Sequence, residues 1–257
     1  MTEHIIVSEA ANALRIRINR PEKRNALTFA MYQTMAEALE RADSDPAIRV
    51  VTLTGTGDIF TSGNDLVDFL EAKPVEGVSP AIRFLTALYE ARKPVIAGVN
   101  GVAIGVGATM LLHCDLVYAA EEATFQLPFV NLGLVPEAGS SLLLPKMAGY
   151  HRAAELLFFG DRFDAHTARE IGLVNRIHPR AALDDILDER SAALAAKPPA
   201  SLRMTKRLLK GESFNASVKT RMAEEGVHFA RQLRSPEARE AMEAFMQKRS
   251  PDFSHFS

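Results

Sequence analysis

The apolar positions at the start of the chain fall into two short runs. Residues 13–18 alternate apolar and charged side chains, which predicts a strand with one face in a core and with Arg15 and Arg17 on a wet face. Ile5, Ile6 and Val7 predict a shorter strand before it. After a turn-rich segment at 19–25 the period changes. Phe29, Tyr32, Met35, Ala36 and Leu39 recur at spacings of three and four, predicting an amphipathic helix to about Ala42 that Thr28 can cap. Residues 48–54 read as a strand ending in Gly55-Thr56-Gly57, and residues 94–99 repeat the theme after a helix carrying Phe84, Leu85 and Leu88. The alternation continues with a helix at 107–112, strands at 115–118 and 123–127, and helices at 139–147, 152–159 and 167–171. A strand-like segment at 173–177 follows. Short strands alternating with helices predict an α/β core whose chemistry sits on the connections.

From Ala181 onward the apolar spacing is helical throughout. Leu183, Ile186, Leu187 and Leu194 are followed by Leu202, Met204 and Leu208, then Met222, Val227, Phe229 and Leu233, and finally Met242, Phe245 and Met246. Breaks at Lys197-Pro198-Pro199 and Ser235-Pro236 divide the run. Its apolar stripes need a partner, either the core of the same chain or another subunit. No repeat has the strength of a solenoid.

Composition narrows the function classes. With 257 residues and 47% hydrophobic composition, the chain can bury a large core without staples. The single cysteine, Cys114, cannot form an intrachain disulfide and lacks the spacing of a metal site, so it reads as a small buried hydrophobe. Lys plus Arg number 30 against 32 Asp plus Glu, a formal charge of -2 that argues against a nucleic-acid face and leaves room for an anionic small molecule. The beginning carries neither a basic leader nor a cleavage signal, and no uncharged apolar run approaches about 20 residues, so no membrane association and a cytoplasmic location are expected. The seven histidines form no closely spaced ligand pair, and His113 reads as a satisfied structural histidine.

Two glycine-rich connections bring backbone within reach of a ligand: residues 60–66, Phe-Thr-Ser-Gly-Asn-Asp-Leu, and residues 100–107, Asn-Gly-Val-Ala-Ile-Gly-Val-Gly. Small residues let N–H groups approach closely, and two that converge on one carbonyl oxygen form an oxyanion hole, with Asn64 and Val106 as the donors of interest. Tight turns and helix packing through Gly101, Gly105 and Gly107 explain the same residues. A dinucleotide fingerprint is excluded because Met110 stands where the third glycine belongs, and no Walker-type Gly-Lys-Ser/Thr follows.

Glu137, within Val135-Pro136-Glu137-Ala138-Gly139, is a lone carboxylate at a loop-to-helix junction. The segments that could supply a partner acid, 105–109 and 125–129, contain none. That pattern favours a single movable base over two-carboxylate chemistry. A helix-start acid attracted by exposed N–H groups is the alternative.

Residues 21–27, 60–66 and 94–107, then Cys114-Asp115 and Pro136-Glu137, in that order, resemble the enoyl-CoA hydratase/isomerase, or crotonase, family, with the likeness reaching Phe245, Lys248 and Arg249. The resemblance implies an α/β fold, a crotonase-like spiral of β-β-α units over residues 1–196, with a helical C-terminal oligomerisation region at 197–257. It further implies a trimer or a dimer of trimers and an acyl-CoA substrate. Coenzyme A is then part of the thioester substrate, and no separate cofactor or metal is expected. The thioester oxygen would be held by the N–H groups of Asn64 and Val106. Lys23, Arg24, Ala26, Ser62, Asp65 and Leu66 would lie along the coenzyme A, with Phe245 and Lys248 at its nucleotide end from an adjacent subunit. Lys23 and Arg24 read equally as solvated loop charges, and Phe245 as part of the apolar stripe of its own helix.

Typical hydratases of the family carry glutamates where this chain has Thr109 and Phe129, and the pair activates water. The segment from Phe125 to Ser141 instead resembles the Δ3,Δ2-enoyl-CoA isomerase branch, which uses one glutamate at the position of Glu137. Asn64 stands where alanine is common. The resemblance therefore implies an isomerase that moves a double bond from C3 to C2, with Glu137 as the proton shuttle. Phe129, Leu132 and Leu134 are candidates for desolvating its carboxylate. Hydration, another acyl-CoA reaction of the family, and a non-catalytic acyl-CoA-binding oligomer are the alternatives. Val78, Ile82, Leu85 and Leu88 either line an acyl pocket or pack a helix.

Overall fold

The computed structural model describes residues 3–65, 78–247 and 249–256. Its architecture follows from a chain that visits two sheets in turn. One sheet has the order β1-β2-β3-β5-β7-β10 and the other β4-β6-β8-β9. The first contains β1 (Ile5–Ala10), β2 (Ala13–Ile18), β3 (Val50–Gly55), β5 (Val95–Val99), β7 (Leu116–Ala120) and β10 (Arg176–His178). The second contains β4 (Ile59–Thr61), β6 (Val102–Ile104), β8 (Thr124–Gln126) and β9 (Phe163–Asp164). Each pass places a strand in the large sheet, crosses within a few residues to the small one, and returns through helical chain. Successive passes are parallel in both sheets, while β1 with β2 and β8 with β9 are antiparallel. This is a spiral of β-β-α units.

The long strands and the first helix match the sequence reading. α1 (Phe29–Ser44) buries Tyr32, Met35, Ala36 and Leu39 on its core stripe, and the Thr28 hydroxyl accepts from the Met31 N–H at 3.3 Å. α2 (Pro80–Glu90) splits the pocket candidates: Leu85 and Leu88 are buried, whereas Val78 and Ile82 are exposed.

Several expectations are corrected. β4, β6 and β9 are two or three residues long, too short for a visible period, and the sequence placed the first two inside glycine-rich loops. The helix expected at 107–112 is a single turn, α3 (Val106–Thr109), continued by a 3-10 turn over Met110–His113. The strand-like segment at 173–177 contributes only its end to β10, because the Leu173 and Val174 N–H groups both turn back to the Ala168 carbonyl and close the preceding helix.

The remaining helices are α4 (Ser140–Ala148), α5 (Tyr150–Phe159), α6 (Ala165–Glu170), α7 (Leu183–Ala195), α8 (Pro199–Lys210), α9 (Glu212–Gln232) and α10 (Pro236–Met246). α7 changes the reading of β2. Its Leu183, Leu187 and Ala195 pack on Ala13, Val50, Ile96 and Tyr118, and its Asp184 and Asp188 pair with Arg17 at 2.8 Å and Arg15 at 2.6 Å. The face expected to be wet is roofed by a helix whose acids match the strand's arginines. Ser235 caps α10 by accepting from the Ala238 N–H, and Pro199 and Pro236 stand in the first turns of α8 and α10, where a missing N–H does no harm. Among the described residues no helix is long and apolar enough to cross a membrane.

Candidate active site

The parallel register of the small sheet brings the two glycine-rich connections side by side. Ile59 pairs with Val102 and Thr61 with Ala103, so residues 62–64 and 105–107 leave adjacent strand ends in the same direction. Their approach is close: a Cβ on Gly107 would lie 2.6 Å from Thr61 Cγ2 and 3.0 Å from its carbonyl oxygen. Loop 60–65 is also tied to the turn before α1. The Ser62 N–H donates to the Arg24 carbonyl, the Leu27 N–H to Gly63 and the Asp65 N–H to Leu27. In this parallel bridge Leu27 bonds to the residues on either side of Asn64, which turns the Asn64 N–H away from Leu27. Val106 opens α3, so its N–H has no carbonyl one turn earlier in the helix to bond. Among the described residues neither N–H is taken by a protein acceptor.

Asn25 fastens this arrangement. It is fully buried, accepts from the Arg20 N–H, donates to the carbonyls of Thr56 and Ile59, and its own carbonyl accepts from the Thr61 hydroxyl at 2.7 Å. These bonds tie the turn at 23–27 to the loop at 61–65. Lys23 and Arg24 are exposed, Ala26 and Ser62 partly so. Asp65 accepts from Arg20 at 2.6 Å, which commits its carboxylate to an ion pair. Phe245 departs from one of its two readings: at 65% exposure it is not part of the stripe its helix buries, which consists of Ala238, Ala241, Met242 and Ala244. Leu66 and Lys248 lie outside the described residues.

Glu137 is half-buried at the end of the loop before α4 and accepts a hydrogen bond from the Thr109 hydroxyl. Thr109 is fully buried, and it stands where the resemblance places a hydratase glutamate. Burial pushes the Glu137 carboxyl up to about 7; the Thr109 hydrogen bond works against that rise, and the charge of Glu225 adds to it. A carboxylate with this proton affinity can take up and return a proton near neutrality. Of the apolar candidates, Phe129 and Leu134 are buried and Leu132 packs against the same core.

Three contributors escaped the sequence reading. Tyr32 is buried, its hydroxyl donates to Asn64 Oδ1 at 2.5 Å, and its own ionisation is opposed by burial and by the charge of Glu137. The Asn64 side chain therefore orients the loop that carries its N–H. Glu225, on α9, accepts from the Gly139 N–H at 2.5 Å, two residues beyond Glu137. Its signal was a carboxylate on an apolar helix stripe, between Met222 and Phe229 at spacings of three and four. Thr109 has no carboxylate of its own and enters the site through the hydrogen bond its hydroxyl gives Glu137.

His113 is buried and held neutral by desolvation, with its pKa lowered to about 4. A carbonyl can only accept, so the His113 Nε2–H donates to the Ala138 oxygen at 2.7 Å, as expected of a satisfied structural histidine. Cys114 is only half-buried, and desolvation pushes its thiol up to about 12, which keeps it unreactive. Among the described residues no group of three or more His, Cys, Asp or Glu side chains is placed to hold a metal ion. A cavity of about 610 Å³ between α2 and α8, lined by Tyr89, Arg203, Lys206 and Lys210 among others, includes none of Glu137, Asn64 and Val106.

The β-β-α spiral thus carries two backbone N–H groups with no protein acceptor among the described residues, and Val106, which bears one of them, shares a helical turn with Thr109, the hydrogen-bond partner of Glu137. The enoyl-CoA hydratase/isomerase family model matches residues 8–255, and the chain belongs to that family. It is 35% identical to the 1,2-epoxyphenylacetyl-CoA isomerase of Escherichia coli (strain K12), with 99% of each chain covered. It is 38% identical over 212 residues to the enoyl-CoA delta isomerase 2 of Rattus norvegicus, covering 80% of this chain but 54% of the rat protein, so the chain spans about half of that relative. A solved enoyl-CoA hydratase/isomerase from Pseudoalteromonas atlantica T6c superimposes with a TM-score of 0.95 at 44% identity, over 98% of this chain and 100% of the other. The chain is an enzyme with a crotonase-like fold, and its reaction is an acyl-CoA reaction of the hydratase or isomerase type.

Proposed function

We propose that the protein isomerises 3-enoyl-CoA to 2-enoyl-CoA with Glu137 as a single proton shuttle. The observation that carries this reading is one carboxylate of raised proton affinity bonded to Thr109, where a hydratase would place an acid. The thioester oxygen accepts from the N–H groups of Asn64 and Val106, which acidifies the C2 protons. Glu137 removes one of them, charge spreads through a dienolate to C4, and the same carboxyl returns the proton there. Hydration needs a second acid to activate water. Phe129 is apolar, Asp65 is held by Arg20, and Glu121 and Glu122 lie on an exposed turn. Glu225 is buried and spent on α4 donors. The 1,2-epoxyphenylacetyl-CoA isomerase relative supports isomerisation as the reaction type.

Lys23 and Arg24 would meet coenzyme A phosphates, with Ala26, Ser62 and Asp65 along the same coenzyme A. Residues 1–196 form the catalytic spiral in this reading, and 197–257 the region that assembles a trimer or a dimer of trimers. The exposed Met204, Leu208, Leu209, Val227 and Phe245 supply apolar surface for that assembly.

The test is conversion of a trans-3-enoyl-CoA in deuterated water, followed by NMR. Formation of the 2-enoyl product with deuterium exchange at C2 is expected; confirmed binding without conversion or exchange would overturn the reading. The pH profile provides a second check. The base works as the carboxylate, so kcat/KM should fall about tenfold per unit below pH 7 and level off above it, following a pKa of about 7. An acid limb near the ordinary glutamate value, between pH 4 and 5, would show that the working base is not a carboxyl held up by burial.

A further inference from the structure

Glu137 is followed by two consecutive left-handed residues, Ala138 at φ 57° and Gly139 at φ 73°. A non-glycine residue in that region persists only where its surroundings over-determine it. Here it is clamped from two sides. The His113 Nε2–H holds the Ala138 carbonyl, and Glu225 reaches from α9 to take the Gly139 N–H at 2.5 Å, the Ser141 N–H at 2.9 Å and the Ser141 hydroxyl at 2.5 Å. The Glu137 carbonyl belongs to the same turn, since it accepts from the Ser140 N–H at 3.0 Å.

Glu225 is 5% exposed. A carboxylate so placed is held by hydrogen bonds to its charged form and by the N-terminal dipole of the helix it faces, and these donors provide both. A helix cap alone would explain bonds into α4, but the Gly139 bond falls within the left-handed pair that sets the direction of the Glu137 side chain.

We propose that Glu225 is a positioning residue for Glu137: through the Gly139 and Ser141 donors it fixes the turn that aims the shuttle carboxylate. This rests on the single-base reading of Glu137. Each group that acts on Glu137 comes from a different element. The Tyr32 hydroxyl comes from α1, the Thr109 hydroxyl from α3 and Glu225 from α9, while His113 acts through the Ala138 backbone. Of these, Glu225 is the one whose charge adds to the rise of the Glu137 carboxyl, so its removal should have a signed effect.

Two variants separate aim from charge. Glu225→Ala removes the clamp, and kcat should fall about 10- to 100-fold with KM for the enoyl-CoA changed less than about threefold, since no thioester donor is touched. Glu225→Gln keeps one acceptor and the side-chain shape, so it should recover most of kcat. With the charge gone it should move the acid limb of kcat/KM downward by about half a pH unit. A lower unfolding midpoint with an unmoved acid limb and unchanged kcat in both variants would reduce Glu225 to a structural cap and overturn the proposal. If Glu225→Ala fails to fold, the Gln variant carries the test alone. A carbon-13 carboxyl titration of the intact protein, with the Glu137 signal assigned by its loss in Glu137→Gln, needs no substrate. A downward shift of that signal's pKa in Glu225→Gln would support the proposal even if the protein were not an isomerase, and an unshifted one would overturn it in an active isomerase too.

Discussion

Glu137→Gln is expected to lower kcat by about a thousandfold while leaving the fold intact, and to make the protein more stable above neutrality. In the proposed mechanism the rate loss follows from removing the group that carries the proton; glutamine keeps the volume and an oxygen for the Thr109 hydroxyl. The stability gain follows from linkage. The carboxyl of folded Glu137 titrates near 7, above its ordinary value of 4.5, so between these values the folded state binds more protons than the unfolded state. Stability is therefore full below about pH 4.5 and falls as pH rises towards 7, where the half-buried charge must be tolerated. The penalty is about 3 kcal/mol at pH 8, and the substitution removes it. Urea denaturation of parent and variant at pH 8 and pH 5 should show a gap that narrows on acidification. A kcat within tenfold of the parent would remove Glu137 from the mechanism, and a pH-independent gap would mean that its ionisation is not opposed by the fold.

Gly101→Ala should destabilise the protein by about 3–4 kcal/mol, the largest stability loss expected of a one-carbon change here. Gly101 lies where the chain passes from β5 to β6. A Cβ there would stand 1.7 Å from the Asp58 carbonyl oxygen and 3.0 Å from the Ile59 nitrogen, both backbone atoms that cannot swing aside. The φ of Gly101 is outside the left-handed region, so the conflict is one of space rather than torsion. Separating the two crossings would also strain Asn100, which accepts from the Gly55 N–H and donates to the carbonyls of Gly57 and Ile59. Activity should fall with stability, because β6 leads directly to Val106. Gly57→Ala is the control. Gly57 has φ 78° and open space around its would-be Cβ, so about 1 kcal/mol of torsional strain is expected. Unfolding midpoints that do not rank Gly101 well below Gly57 would show that the crossing is not tightly packed.

This crossing also explains the glycine-rich connections. The bland reading, tight turns and packing through Gly101, Gly105 and Gly107, finds close packing at Gly101 and Gly107 and a left-handed turn with open space at Gly105, and the same packing sets residues 62–64 beside 105–107. Packing and the proposed donors are therefore two aspects of one feature. The pattern of residue types could not distinguish them, because a backbone N–H leaves no side-chain signature. The short strands β4, β6 and β9 escaped for a related reason: two or three residues do not establish a period, and their pairing is supplied by neighbours far along the chain.

What the sequence determined by itself was local. The spacing of apolar residues defined α1 and β2, Thr28 marked the cap of α1, proline marked the helix breaks near 198 and 236, and Glu137 stood out as a lone acid before a helix. The tertiary structure decided which surfaces meet. It set α7 over Arg15 and Arg17, Tyr32 against Asn64, Thr109 against Glu137 across 28 positions, and Glu225 against Gly139 across 86. The physical reason is range: helix and strand periodicities act over a few residues, whereas desolvation and hydrogen bonding of a carboxylate depend on whatever the fold brings alongside it.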